Sequence, residues 1–476
     1  MRTRTGNLQR GRTGRSAGAR PIGRRTDTGR GGWPRRWLAT REVVTERYAG
    51  WAAERYITMP TRTCSGPCSE ATGECANAAG TRVAQQLAGG SMIPRRTVLT
   101  LPIVGAAVLA CTGSNRTASR RRLGGVRGAD LSFTLRMESA GVSYSDGRRT
   151  APVEQLLADR GADLVRLRVW VGPDAGGSDL HTALVLARRA ADVGCAVLLS
   201  LHYSDTWADP DNQTIPRSWA GQDLATLANT VQAYTRDCVG AFAAQGTPLR
   251  AVQIGNEVTR GMLWPVGAVR HGSAEGWGPF TRLLRAGIAG AREAAPDLPV
   301  LIHVDQGGNT DVCRHFFDRM EEHDVAFDVA ALSYYPFWHG SLEGLRHNVT
   351  ELSSRFGCDV LVVETAYPWY LPGPAAPTTA GTVEFMVTDP DQLPDVARLP
   401  ATPAGQADYF DALRDVLRSV PDDRGIGFVA WEPGWTGQFV DVLPEGGGNP
   451  YANLSMFDES GRGLPALSAF RPERTN

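Results

Sequence analysis

Short apolar runs recur eight times between Asp130 and Trp431, with amphipathic segments between them, and this alternation constrains the fold more than any other feature of the chain. The runs lie near 130–135, 163–170, 195–201, 250–256, 299–304, 328–334, 359–364 and 425–431 and read as strands. Apolar residues at helical spacing fill 179–193, 222–245, 277–295, 341–356 and 404–420. Strand then helix, repeated eight times, predicts a (β/α)8 TIM barrel. A doubly wound open sheet shares the alternation, but its phosphate-binding glycine fingerprint is missing after the first strand.

Loop lengths orient the barrel. Connections into strands are short, such as Gly194 before the third and Asp297-Leu298-Pro299 at the fifth, whereas those leaving the fourth, seventh and eighth strands are long. Long loops in a compact domain are usually functional, and barrels build their sites at strand C-termini. The chemistry is therefore expected where these runs finish.

Strand two, Asp163 to Trp170, alternates so that Arg166, Arg168 and Trp170 share the face opposite Val165, Leu167 and Val169. Helices cover the apolar face, which turns both Arg inward, where they demand carboxylate partners. Strand four ends in Asn256-Glu257 and strand seven in Glu364. Two carboxylates facing each other across a barrel are the equipment of a glycosidase. Strict alternation would separate Asn256 from Glu257, so a bend or bulge is expected there. The other strand ends supply His202, Asp205 and Trp207, then His303 and Asp305, then Tyr334, Tyr335 and Trp338, and finally Trp431 and Glu432; Trp369 follows Glu364. Sugar rings stack their C–H faces on indoles and offer hydroxyl edges to Asp, Asn and His, so this mixture suits a carbohydrate cleft. The His and Asp residues come from different strands without ligand spacing, and no metal or cofactor is expected.

All 50 basic residues are Arg, which excludes Schiff-base lysines, pyridoxal-phosphate anchoring and a P-loop. Residues 1–128 carry 23 Arg against six acidic residues, and the remainder 27 against 44. Residues 1–91 lack apolar periodicity and read as a disordered basic extension. Residues 92–111 have the parts of an export signal, with the twin-arginine-like Arg95-Arg96 and a lipoprotein-like box ending at Cys111, the expected lipid site. Such a signal works at an N-terminus, so translation is expected to begin at Met92; protein of full mass retaining 1–91 would contradict this. The other reading of the basic segment is a nucleic-acid-binding tail. Residues 112–128 read as a polar linker and 129–472 as the catalytic domain. Cys195, Cys238, Cys313 and Cys358 allow three disulfide pairings or none. Asn212, Asn348 and Asn453 match the glycosylation pattern, which a bacterial export signal makes idle.

From about Asp130 to Phe470 the sequence resembles glycoside hydrolase family 53, the endo-β-1,4-galactanases of type I arabinogalactan. The likeness is carried by ADLSFTLRMESAGVSY, VRLRVWV, LLSLHYSDTWADP, VQIGNEVTRGMLWPVG, LSYYPFWHGSL, LVVETAYPW and FVAWEPGW. The resemblance implies a retaining barrel hydrolase with Glu257 as acid/base and Glu364 as nucleophile, surrounded by Asn256, Arg168, His202, Tyr334 and Trp431. Arg168 and a hydrogen bond from Tyr334 are expected to hold Glu364 ionised, and Asn256 to meet the sugar 2-hydroxyl. Asp305 stands one place from the family's arrangement. The early part of the loop after strand seven lacks the Asp and His ligands with which some bacterial relatives hold calcium. A monomeric, exported bacterial enzyme follows, attached to a membrane only through the lipid and having polysaccharide, not nucleic acid, as its partner. Two other readings stand beside it: another barrel endoglycanase, such as a mannanase or cellulase, and a surface lipoprotein that binds saccharide without cutting it.

Overall fold

The computed structural model describes residues 122–472, apart from 175–176, 248, 271–274, 373–375, 379–380, 384 and 439–448. The basic extension, the candidate export signal and Cys111 lie outside the described residues, as does part of the loop after the seventh strand. Eight parallel strands close into a barrel: β1 (Val126–Asp130), β2 (Leu164–Val169), β3 (Ala196–Leu201), β4 (Leu249–Ile254), β5 (Val300–Val304), β6 (Val329–Ser333), β7 (Asp359–Thr365) and β8 (Gly425–Ala430). Each strand pairs with its sequence neighbours, and β8 closes onto β1 through Val126↔Gly427 to Ala129↔Ala430.

Helices α1 (Val153–Ala158), α2 (Leu180–Asp192), α3 (Leu224–Gln245), α4 (Trp277–Ala294), α5 (Thr310–Glu322), α6 (Leu342–Phe356) and α7 (Pro403–Arg418) follow the first seven strands, and a 3-10 segment, Pro465–Phe470, takes the eighth place. Their starts are written locally: Asp179, Asp223, Asn309, Ser341 and Thr402 each accept a hydrogen bond from the first turn they precede. The apolar outer faces of the strands pack under these helices in one continuous cluster.

The first strand differs from expectation. It occupies 126–130 instead of 130–135, so the barrel takes in residues assigned above to the linker. Gly128 obscures the pattern: a Cβ there would come within 2.9 Å of Val429, so close packing at this point calls for glycine. Residues 131–133 instead lead into a short helix, Thr134–Ser139.

The barrel interior has two storeys. Its floor is the apolar cluster of Leu123, Val126, Leu164, Leu198, Ala251, Leu301, Val329, Ala331, Leu361, Val363, Ile426 and Val429. Two residues further along β2 to β6 the same inward face turns polar, with Arg166, Ser200, Gln253, His303 and Ser333 all fully buried. The floor fixes the barrel and the upper storey carries the chemistry. The four described cysteines are buried free thiols. Asn348 and Asn453 are fully buried and closed to glycosylation.

Candidate active site

Glu257 reaches the barrel mouth because β4 breaks just before it. Gly255 takes φ +77° and Glu257 φ +48°, the bend that lets Asn256 and Glu257 both serve the site. A Cβ on Gly255 would lie 2.5 Å from Val258 Cγ1. Gly255→Ala is therefore expected to destabilise the fold by ~1–3 kcal/mol, measurable by denaturant melt, and to lower turnover by moving Glu257. Glu364 is aimed by a bulge: pairing of β6 with β7 runs Leu332↔Val362 and then Ser333↔Glu364, skipping Val363.

Both carboxylates are tied to β6 and the residues just after it. The Ser333 hydroxyl donates to Glu257 Oε1 at 2.6 Å, and the Tyr335 hydroxyl donates to Glu364 Oε2 at 3.2 Å. Ser333 and Tyr335 are successive inward-facing residues, so Glu257 and Glu364 approach one short stretch of chain from its two sides. This corrects the expectation for Tyr334, whose hydroxyl bonds the Gly340 carbonyl at 2.8 Å, away from Glu364.

The second correction concerns the arginines. Arg166, not Arg168, is the partner of Glu364, with Nη1 2.7 Å from Oε1 and 2.6 Å from Asp130 Oδ2. Its Nη2 donates to Asn256 Oδ1 at 2.8 Å, so one guanidinium links the neighbour of Glu257 to Glu364. Gln253 Oε1 and Ser200 Oγ complete its shell. Arg168 sits nearer the mouth, paired with Glu432 at 3.1 Å and stacked 4.2 Å over Trp207 and 4.6 Å over Phe133. Glu432 was legible only as a neighbour of Trp431; the rule that a buried Arg needs a carboxylate points to it.

These contacts divide the two glutamates electrically. Burial pushes Glu257 well above the usual carboxylate range, and the negative charges of Glu364 and Asp305 push it further. Burial, with the charge of Asp130, also raises Glu364, but Arg166, Arg168 and the Tyr335 hydroxyl oppose the rise. Both carboxyls are raised, Glu257 the further of the two. His202 and His303 are held well below the ordinary histidine value by burial and by the nearby guanidinium groups, so both are neutral. His303 contacts Ser333 Oγ at 2.9 Å through Nε2 and Asn256 Oδ1 at 3.0 Å through Nδ1, and thus braces both neighbours of Glu257.

The remaining candidates separate into cleft wall and scaffold. Trp207, Trp431 and Trp435 pack together, with Trp207–Trp431 centroids 6.3 Å apart and Trp431–Trp435 4.9 Å. Trp338 packs on Tyr335 at 5.2 Å. Trp369, beside Tyr370, anchors its indole N–H on the Ala452 carbonyl at 3.3 Å. His202 accepts from the Ala208 amide at 3.4 Å and keeps its loop against β3. Asp305 accepts from Thr259 and Gln306. Asp205 accepts from the Gly172 and Arg217 amides at 2.9 and 2.8 Å, which makes it a clip between loops. Among the described residues no group of three His, Cys, Asp or Glu side chains is arranged to hold a metal.

The sequence profile of Glycosyl hydrolase family 53 matches residues 126–470, the whole of this barrel. A probable arabinogalactan endo-β-1,4-galactanase A from Aspergillus terreus is 37% identical over 321 residues, covering 65% of this chain and 86% of that protein. The arabinogalactan endo-β-1,4-galactanase of Humicola insolens is 34% identical over 355 residues, covering 72% of this chain and 98% of its own. Among solved structures, the family 53 catalytic domain of Ignisphaera aggregans superposes with a TM-score of 0.66 at 32% identity, covering 74% of this chain and 96% of that domain. A match over this length, on a closed barrel with two glutamates at its mouth, places the chain in glycosyl hydrolase family 53, and it is a glycoside hydrolase.

Proposed function

We propose that the protein is a retaining endo-β-1,4-galactanase acting on type I arabinogalactan. The observation that carries the mechanism is the pair of glutamates held from β6 and the residues just after it, with Arg166 against Glu364 alone; on this reading Glu257 carries the proton and Glu364 is ionised. The substrate is supported by the relatives named arabinogalactan endo-β-1,4-galactanase. Glu257 gives its proton to the departing glycosidic oxygen while Glu364 attacks the anomeric carbon. Glu257, then a base, activates water, which releases the sugar with its configuration retained. One amide N–H of Asn256 is spent on the Ala208 carbonyl at 2.8 Å, and the other is assigned to the sugar 2-hydroxyl. Arg168 supports the stacking wall. Incubation with galactan, mannan and cellulose, counting new reducing ends, tests the reading: galactan alone should be cut. Cleavage of mannan or cellulose instead would favour the wider endoglycanase reading, and binding without cleavage a saccharide-binding protein.

The pH profile carries a second test. Activity requires Glu257 protonated, so kcat/KM falls as pH rises through its value. Asp305 raises that value, and Asp305→Asn should move the alkaline limb to lower pH. The Ser333 hydrogen bond favours the ionised form, and Ser333→Ala should move the limb to higher pH. Both shifts are read from kcat/KM against pH; shifts in the same direction would contradict the assignment of Glu257 as the acid.

A polymeric substrate places the work outside the cell. We propose export through the segment 92–111, with lipid on Cys111 as the only membrane attachment and a monomeric barrel beyond it. The mass of the mature N-terminal peptide tests this.

A further inference from the structure

Pairing of β4 with β3 ends at Ile254, and the chain then bends through Gly255, Asn256 and Glu257, with Glu257 at φ +48°. A non-glycine residue in the left-handed region persists only where its surroundings hold it there. The backbone carbonyls of the bend also need donors that the sheet no longer offers. We infer that Gln213, on the loop after β3, is a positioning residue that holds this bend and so aims Glu257, an inference that rests on the acid/base role proposed for that glutamate. Its side-chain amide donates to the Asn256 carbonyl at 2.8 Å and to the Asp209 carbonyl at 3.0 Å, and the Glu257 carbonyl lies 3.4 Å from the same nitrogen. Gln213 is only 2% exposed, so bulk water does not compete for these bonds.

The loop is built to present this side chain. Asp209-Pro210-Asp211-Asn212 has turn-forming composition, and Asp209 Oδ1 accepts from the Asp211 and Asn212 amides at 2.8 and 2.9 Å. Asp209 and Asn212 also exchange backbone hydrogen bonds, so the turn closes just before Gln213. The clasp is reciprocal, because the Asn256 side chain donates back to the Ala208 carbonyl of the same loop at 2.8 Å. It reaches the far end of the segment as well: the Gln213 carbonyl accepts from the Trp264 amide at 2.7 Å. One residue thus ties 256–257 and 264 to the loop after β3. An amide donates without carrying charge, whereas a cation in its place would lower Glu257 and leave less of it protonated.

Leaving groups separate a misplaced acid from a damaged fold. A dinitrophenolate departs without taking a proton and a phenolate needs one, so dinitrophenyl and phenyl β-galactobiosides differ only in their call on Glu257. Both kcat/KM values come from one preparation, and any unfolded fraction cancels in their ratio. For Gln213→Met, which fills the space without a donor, kcat/KM should fall about 10–100-fold on the phenyl substrate, the cost of a small displacement of the acid. On the dinitrophenyl substrate it should fall about twofold or less. Gln213→Ala, with room for water on the freed carbonyls, should show the same split and serves if the Met variant does not fold. Glu257→Ala should show the split more strongly. Equal loss on both substrates, or no loss, in the Gln213 variants beside a split in Glu257→Ala overturns the positioning role and leaves the acid assignment intact. No split in Glu257→Ala overturns that assignment and this inference with it.

Discussion

Glu364→Ala should lose turnover by more than ~10⁴-fold while remaining folded, because it removes the group that bonds covalently to the sugar. General acid catalysis by Glu257 typically supplies only ~10²–10⁴-fold, so it cannot compensate. Removing the carboxylate leaves a small void beside the Arg166 guanidinium, and Asp130 still balances the arginine. Azide should enter that void as an external nucleophile and partly restore cleavage of an activated galactoside, giving the α-galactosyl azide, since it attacks from the face Glu364 occupied. The matching Glu257→Ala variant keeps its nucleophile, so azide should instead capture the glycosyl-enzyme and give the β-azide. The two product configurations, read by proton NMR, assign the two roles independently; the reverse pattern would exchange them.

Arg166→Met should be the most damaging substitution to stability in the barrel. The guanidinium is fully buried and holds both Asp130 and Glu364 at ion-pair distance. Without it two carboxylates face each other in a closed interior, and breaking a buried pair in this way costs about 3–5 kcal/mol. Denaturant unfolding should record the loss. The surviving activity should carry a signature as well: Arg166 lowers the Glu364 value, so its removal raises that value and moves the acid limb of kcat/KM to higher pH. Arg166→Lys keeps a charge but cannot bridge Glu364, Asp130 and Asn256 at once, and should recover only part of both effects. A stable Arg166→Met protein with an unchanged acid limb would contradict the role given to this residue.

The barrel and its two glutamates were legible in the sequence because the information is periodic and sits at run ends. Finer placement was not, for reasons visible in particular residues. In Val329-Ala330-Ala331-Leu332-Ser333-Tyr334-Tyr335 both faces are apolar, as in any parallel strand buried on both sides, so hydrophobicity does not say which tyrosine points inward. Counting by twos from Ser333 in the finished barrel selects Tyr335. Arg166 and Arg168 share a face, and only their depth separates the partner of Glu364 from the partner of Glu432. Depth depends on the stagger between strands, which no single strand encodes. Asp205 lay in a polar run after β3 that reads as a sugar contact, yet its oxygens close on backbone amides of the neighbouring loops. The bend at Asn256-Glu257 was legible in advance, because strict alternation could not deliver both residues to one cleft, and Gly255 supplies the backbone freedom it needs.

Covalent capture puts the central assignment to its hardest trial. The wild-type protein would be incubated with an activated 2-deoxy-2-fluoro-β-galactobioside, which forms the glycosyl-enzyme but is slow to leave it, then digested and mapped by mass spectrometry. A single inactivator mass on the peptide bearing Glu364 is the predicted result. Label on any other carboxylate, or full inhibition with no covalent mass at all, would contradict a nucleophile at the end of β7.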